Sequence, residues 1–530
     1  MRTILFIFLI ISTLISCKKK PTIWESDWSL PIINDTLSLK NFVNDSTLGE
    51  NVSGFYDLNL NRTLYDLNID SLNARINLPD TTITENLTIS FLNITMPPGF
   101  SYVNSSEEHE LDIPDVQLKK IRLSRGFLDV EVHNPISTVT IFNVLLPGVK
   151  KDGLMFSNQY EAPQGTNANR GIVSKTIDLS GYELDLTGLS GAEFNKLVAQ
   201  ISVSTDPTGP TVTATNLDTT KVKASFRGLE FDYARGYFGV TVSDTTEEFL
   251  EEMDIYQSGL MDVTNTSIKF EFENSIKVGG EGKLINVSNE NNFGSLVSLS
   301  SPQIGVGFNI DPATGSWSSL TPSYNVVEFN SSNSNIENYL ENFGSKHTIG
   351  YSFQLNPWGN VSGGWDEIFP TSRIKVRLKA NMPLSIGFDN LVLRDTFDVV
   401  LNQDPEKTKI LGGDIILNAS NSFPFAGSFK LIFLNESGSV LHTVNSSNDV
   451  QASQFGTFST NYNFDVCNSE VKISLPSNVV NDINDVTQII VQVKLNSLNA
   501  STGISEVMSI PVGAFLAVKL KTKFKTENIF

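Results

Sequence analysis

The chain is 530 residues long, with 58 acidic against 38 basic side chains and a formal net charge of −20 at pH 7. So acidic a protein repels the phosphate backbones of DNA and RNA, which excludes nucleic acid as a partner. Only 18% of residues are charged, so Asn, Ser and Thr carry the solubility, as on an exported β-protein.

The chain begins MRTILFIFLIISTLISCKKK. Arg2 and the apolar run at residues 4–15 fit a signal-peptide core of roughly 7–15 residues, and fall short of the roughly 20 that cross a bilayer as a helix. Leu14-Ile15-Ser16-Cys17 resembles the lipobox of bacterial lipoproteins. The resemblance implies diacylation of Cys17, cleavage after Ser16 and acylation of the new amino terminus, with residues 1–16 as signal peptide. Two or more acyl chains anchor stably, each buried methylene contributing about 0.8 kcal/mol. An ordinary secretory peptide with an incidental cysteine is the competing reading. Residues 17–30 then form a lipidated tether. In it Lys18, Lys19 and Lys20 sit next to the headgroups, and Trp24 and Trp28 meet the membrane interface, a partner or the first domain. Lys18 stands where Asp would signal inner-membrane retention, so the outer membrane is the expected address. Acidic residues come only at Glu25 and Asp27, later than in many surface lipoproteins of Bacteroidota, and the choice between cell surface and periplasmic face stays open, with the surface favoured.

Beyond the tether, period-two alternation dominates. Ser267-Ile268-Lys269-Phe270-Glu271-Phe272-Glu273, Arg373-Ile374-Lys375-Val376-Arg377-Leu378-Lys379, residues 489–495 and residues 516–521 each put apolar side chains on one face and polar ones on the other. Such segments are strands of antiparallel sheets with one wet face. Turn signals such as Asp311-Pro312, Asn356-Pro357 and Ser437-Gly438 separate them. The spacing predicts short helices over residues 190–200 and 335–342. Three strand-like segments end in Asn followed by Pro or Ser, at Asn134, Asn274 and Asn421, 140 and 147 residues apart, and an apolar stretch follows each. A strand, an Asn-capped turn and a returning strand explain this pattern; coincidence in an Asn-rich chain is the alternative. The expected fold is all-β, with tandem antiparallel β-sandwich (immunoglobulin-like) domains and a few short helices. The expected divisions are an N-terminal β-rich region at 31–110 and sandwich units at 111–265, 266–410 and 411–530.

Catalytic and metal-binding patterns are missing from the sequence. The four histidines, His109, His133, His347 and His442, show no HExxH spacing, and Cys467 has no CxxC partner. No GxSxG elbow or P-loop occurs, and Gly279-Gly280-Glu281-Gly282 reads as a turn or bulge. Neighbouring carboxylates such as Glu107-Glu108 and Glu251-Glu252 point to opposite faces of a strand. The chain is therefore expected to be no enzyme and to need no cofactor or metal. Cys467 reads as a buried structural thiol. The binding candidates are aromatic: Trp317, Trp358 and Trp365, the last two in the Gly-rich Asn356-Pro357-Trp358-Gly359-Asn360-Val361-Ser362-Gly363-Gly364-Trp365. Tryptophan on such a loop stacks on sugar rings, or else plugs the end of a sandwich.

Asp followed by Ser or Thr and then an aliphatic residue or Thr recurs, which is similar to the O-glycosylation motif of Bacteroidota envelope proteins. The resemblance places sugars at Thr36, Ser46, Ser71, Thr81, Thr219 and Thr245. As a whole, with Trp24-Glu25-Ser26-Asp27-Trp28-Ser29-Leu30-Pro31, Ile177-Asp178-Leu179-Ser180-Gly181-Tyr182, Arg235-Gly236-Tyr237-Phe238-Gly239 and Ser420-Asn421-Ser422-Phe423-Pro424-Phe425, the chain resembles the large uncharacterised outer-membrane and surface lipoproteins of Bacteroidota. That family implies an address and β-richness, and no activity. Three functions are expected in order: a non-enzymatic scaffold or accessory subunit of an outer-membrane assembly (a β-barrel export, insertion or uptake machine), a surface glycan-binding lipoprotein laid out like those of starch-utilisation systems, and a lipid carrier lined by some of the 34 phenylalanines.

Overall fold

A computed structural model describes residues 23–38, 48–76, 78–89, 92–249, 256–317, 319–398, 408–453, 466–482, 485–497 and 506–529. The protein is all-β, built from antiparallel sheets packed as sandwiches. Its helices among the described residues are the short Ile69–Ile76, Ile336–Glu341 and Ser477–Asn481. The helix expected over 335–342 is present. Residues 190–200 instead turn and enter the strand Lys196–Thr205, because Ser101–Glu110 and Thr140–Lys151 flank that segment and take up its backbone hydrogen bonds. Gly280 and Gly282 lie inside the strand Gly280–Glu290 rather than in a turn. A Cβ on Gly282 would stand 2.6 Å from the Phe308 ring, so only hydrogen fits there.

The three asparagines are one device used three times. Each ends a strand, Val116–Asn134, Ser267–Asn274 or Thr408–Asn421, and each is at most 2% exposed. At each, the side-chain oxygen accepts the N–H two residues on, from Ile136, Ile276 or Phe423, at 2.8–2.9 Å. The amide nitrogen donates to the carbonyl four residues on, of Thr138, Val278 or Phe425, at 2.8–2.9 Å. It also donates to a distant carbonyl, of Pro163, Asp311 or Gln451, at 2.9–3.0 Å. A buried corner leaves backbone groups without water, and one Asn carries the donors and the acceptor to satisfy three of them. The chain then returns as Thr140–Lys151, Gly280–Glu290 or Ala426–Leu434. In the second and third units this carries it from one sheet to the facing one. In the first unit, the short strand Glu183–Asp185 pairs with both sides and merges them into a ten-stranded sheet. Ring contacts across the second sandwich, Tyr65 to Tyr351 at 5.4 Å and Phe272 to Phe308 at 4.9 Å, show the two layers meeting.

The N-terminal segment laces the units together in reverse order. Ile23–Ser38 pairs with Phe515–Ile529 of the third unit. Tyr56–Leu67 pairs with Ile374–Pro383 of the second, and Thr81–Leu87 with Thr220–Phe238 of the first. Strands from residues 23–110 are thus shared out among the units: three of them complete the last strand of a different unit, which would otherwise expose unpaired N–H and C=O groups, and Ser101–Glu110 pairs with Lys196–Thr205 of the first. Strands ahead of the expected limits at 265 and 410 cross from one sheet to another. Thr220–Phe238 runs through two residues into Thr241–Phe249, which pairs with Lys346–Leu355 of the second unit. Ile374–Pro383 runs through Leu384 into Ser385–Asp398, which pairs with Gln488–Asn496 of the third. Tyr256–Val263 joins that third-unit sheet as well. Among the described residues, successive units are therefore joined by nearly continuous strands.

Alternating residues fill the cores. Ile268, Phe270 and Phe272, expected on one buried face, are 6%, 0% and 0% exposed. Phe142, Phe226, Phe231, Phe238, Phe329 and Phe353 are buried alongside, so these rings fill the core. One core cluster runs continuously through the first and second units, while Ile410, Leu431, Phe433 and Ile473 belong to a separate core in the third. A cavity of about 40 Å³ lies in the first unit among Leu128, Val130, Val144 and Ile201, with Glu85 and His109 at its edge. That is far below the roughly 300 Å³ of a small-molecule pocket, and too small for an acyl chain. Cys467 opens the strand Cys467–Leu475 and is half-buried rather than buried, since it pairs with Asn421 at the end of its sheet.

Candidate binding platform

The strands Val116–Asn134 and Thr220–Phe238 pair so that Tyr233 faces Arg122 and Arg235 faces Lys120. The short strand Asp366–Ile368 of the second unit adds to this sheet, with Glu367 opposite Arg235. Directly opposed residues share a face, so Tyr233, Arg235, Arg122 and Glu367 stand together on one face of the sheet, where Tyr233 is buried. Two loops of the second unit reach onto them. One is the hairpin of Thr314–Ser316 and Ser319–Thr321, whose tip carries Trp317. The other is the Gly-rich loop at 356–365.

Glu367 is the hub. It accepts from Tyr233 Oη at 2.7 Å, Arg235 Nη2 at 2.8 Å and Lys277 Nζ at 2.7 Å. Burial opposes its charge, but the hydrogen bonds from Lys277, Arg235 and Tyr233 outweigh that and hold the carboxyl down at about 2. Burial, with the carboxylate beside it, pushes the Tyr233 hydroxyl up, so it stays protonated and donates. Arg122 donates to both carboxylate oxygens of Asp232, at 2.7 and 2.5 Å; Asp232 is the bulged residue between Phe231 and Tyr233. Trp317 stacks on Tyr233 with centroids 5.0 Å apart and meets Phe369 edge-on at 5.4 Å. The Arg122 guanidinium lies 4.2 Å from the Trp317 ring centre. Trp365 has Arg235 and Lys119 each 5.1 Å from its ring centre.

The glycines of the second loop allow this approach. Gly359, Gly363 and Gly364 all have positive φ, and a Cβ on Gly364 would stand 2.5 Å from the Phe194 ring. Asn360 pins the loop, accepting from Gly364 N–H at 2.7 Å and donating to Gln117 at 3.0 Å. Trp317, Trp358 and Trp365 remain 44%, 55% and 63% exposed. The structure brings Trp317 and Trp365 to one charged surface at the junction of two units. Trp358 stands on the same loop as Trp365, with no ring or cation against it among the described residues. Sequence reasoning missed Arg122, Tyr233, Arg235 and Glu367. The signal available was the alternation Tyr233, Arg235, Tyr237 on the outward face of one strand.

The remaining expected sites are scattered. Cys17 and Ser46 lie outside the described residues. Thr36 and Thr245 are exposed and Ser71, Thr81 and Thr219 half-buried, on separate strands and loops. The histidines have structural partners: His109 lies 3.5 Å from Glu85, His133 binds Glu131 at 2.5 Å, His347 meets Tyr339 at 2.8 Å and His442 meets Asp482 at 2.7 Å. Among the described residues no cluster of His, Cys, Asp and Glu is arranged to hold a metal ion.

The hub gives a pH prediction. Glu367 titrates near 2 when folded and about 4.3 when unfolded, so its stabilisation is complete above about pH 5 and is lost as pH falls toward 2. Glu367→Gln is expected to cost about 2 kcal/mol at pH 7, because Arg235 and Lys277 lose a half-buried partner. The gap to the parent should narrow by about half at pH 3, read from urea midpoints at the two pH values. An equal gap at both would remove Glu367 from this role.

No protein-family model matches the chain, and no curated protein does. Among solved structures it is similar to a Parabacteroides distasonis ATCC 8503 protein described as secreted, at 12% identity and TM-score 0.28, over 54% of this chain and 82% of that one. It is also similar to the empty particle of cowpea mosaic virus, at 10% identity and TM-score 0.13, over 57% and 90%. A third likeness is to infectious bursal disease virus strain Gx, at 10% identity and TM-score 0.14, over 92% and 82%. TM-scores this low carry no argument, and the all-β assignment stands on this chain's own sheets.

Proposed function

We propose that the protein is an outer-membrane lipoprotein, anchored through Cys17, that works by contact and without catalysis. In this reading it is a scaffold or accessory subunit of an outer-membrane assembly, such as a β-barrel export, insertion or uptake machine. The observation that carries the reading is the exposed pair Trp317 and Trp365 beside Arg122 and Arg235, with Trp317 stacked on the buried Tyr233 and Trp358 exposed on the same loop as Trp365. Trp, Tyr and Arg dominate the energetics of protein interfaces, because they combine large rigid apolar area with a polar handle. Glu367 and Asp232 hold these cations in place before any partner arrives, which lowers the ordering cost of binding.

Mild crosslinking in whole cells, followed by affinity recovery, tests this. The double variant Trp358→Ala/Trp365→Ala is expected to lower recovery of an outer-membrane protein partner about thirtyfold, the scale of one hot spot. Both side chains are exposed, so the fold should persist by circular dichroism. Parent protein that recovers no membrane partner would count against the scaffold role. The Gly-rich loop favours a second reading, a surface glycan-binding lipoprotein, since Trp358 and Trp365 offer flat faces close to Asn360. Retention of the parent, but not the double variant, in polysaccharide affinity gels would select that reading.

A further inference from the structure

The C-terminal strand Phe515–Ile529 carries Lys519, Lys521, Lys523 and Lys525 at every second position. Their side chains therefore share one face of the sheet, while Leu516, Val518, Leu520 and Phe524 take the other. Across this row stand Asn34, Pro31, Ser29 and Asp27 on the first strand, and Asn418, Ile416, Asp414 and Gly412 on Thr408–Asn421. Lys525 pairs with Glu25 at 2.5 Å. Asp414 is taken by Lys472 at 2.9 Å. Glu470 and Glu527 stand at the margins of the face, opposite Asn418 and Lys409. Lys519, Lys521 and Lys523 form no ion pair among the described residues. Lysines roughly 7 Å apart repel one another; Asp414, opposite Lys523, offsets part of that charge while also binding Lys472, and the row stands in a chain whose net charge is −20.

Their position is informative. The neighbouring strand is the first among the described residues, and it begins at Ile23. Six Cα-to-Cα steps separate Cys17 from Ile23, at most about 20 Å of extended chain. Lys18, Lys19 and Lys20 occupy the first three of those steps. The near end of this sheet is thus tied close to whatever surface holds Cys17.

We infer that the lysine face of this sheet, through Lys519, Lys521 and Lys523, rests on the anionic phosphate headgroups of the bilayer that holds the lipid anchor. The third unit is then the membrane-proximal one. The N-terminal segment runs from it past the second unit to the first, and the Trp317–Trp365 platform lies at the junction of those two units. This inference depends on the anchoring of Cys17 proposed above. It differs in what it needs, since headgroup contact requires charge and close approach within about 8 Å, and the anchor requires acyl chains.

The test uses the mature chain with Cys17→Ser, so that no acyl chain contributes, on vesicles of phosphatidylcholine alone or with about a third phosphatidylglycerol. Binding is expected only to the anionic vesicles and should be released by 0.5 M salt. K519Q/K521Q/K523Q is expected to weaken it about hundredfold, near fivefold per lysine. K151Q/K175Q/K223Q, on the first unit, should leave binding unchanged. Glutamine keeps the side-chain stems beside Ile416, and a melting curve checks the fold. In native envelopes, acetic anhydride should label Lys519, Lys521 and Lys523 several-fold less than after detergent extraction. Equal binding to neutral vesicles, an unweakened triple variant, or equal labelling in both states would overturn the inference. Palmitate labelling reports separately on the anchor, so an unlabelled chain sinks the anchor and a labelled chain without lysine protection sinks only the docking face.

Discussion

Asn274→Ala is expected to destabilise the protein by about 4 kcal/mol, a large part of the 5–15 kcal/mol that holds a typical domain together. The substitution strips partners from three buried backbone groups at once: the N–H of Ile276 and the carbonyls of Val278 and Asp311. Each orphaned group costs about 1–3 kcal/mol, since the corner admits no water to replace the lost bond. Asn274→Asp should do no better, because a carboxylate keeps the acceptor but turns both donor contacts repulsive. Asn325→Ala is the control. That side chain also donates to a backbone carbonyl, of Asn309 at 3.0 Å, but in an exposed setting, and should change stability by under about 0.5 kcal/mol. Urea unfolding followed by tryptophan fluorescence reads both. A cost near that of the control would show that the corner is not what holds the return strand in place.

Cys17→Ser is expected to move the protein from the membrane pellet to the soluble fraction and to abolish palmitate incorporation. Losing two or more acyl chains lowers bilayer partition by more than about ten-thousandfold, whereas lysine–headgroup attraction alone is reversible and salt-sensitive. Among the described residues no helix is long and apolar enough to cross a membrane, so no helical span among them would retain the variant. A Cys17→Ser chain that stays in the pellet after a high-salt wash would remove the lipid anchor from the account. The two experiments address different links: the first asks what makes the sandwich, the second what ties it to a surface.

Some of this was legible in the residues. The alternation through Ile268, Phe270 and Phe272 and through residues 489–495 located strands and their buried faces, because side-chain direction in a strand is set every second residue by the backbone itself. The asparagine repeat was legible for a related reason: a strand-ending Asn followed by Pro or Ser and then Ile or Phe is a local device, complete within five residues except for its last acceptor. The tryptophans were visible as candidates, and their surroundings were not. Arg122 and Arg235 meet Trp317 and Trp365 only because a hairpin and a loop of the second unit fold over a strand pair of the first, and no local pattern encodes that.

The sequence by itself determined that this is an exported-looking, acidic, strand-built chain with a lipobox-like start and a thrice-used corner, since each of those properties lives in composition or in a few consecutive residues. Only the tertiary structure decided which strands pair. Ile23–Ser38 lies beside Phe515–Ile529, some 500 residues away, and residues 31–110 are shared among three units. An amphipathic strand shows which face it will bury but not whose edge it will join. That choice is made by the free backbone groups of the edge that remains open when the rest has folded.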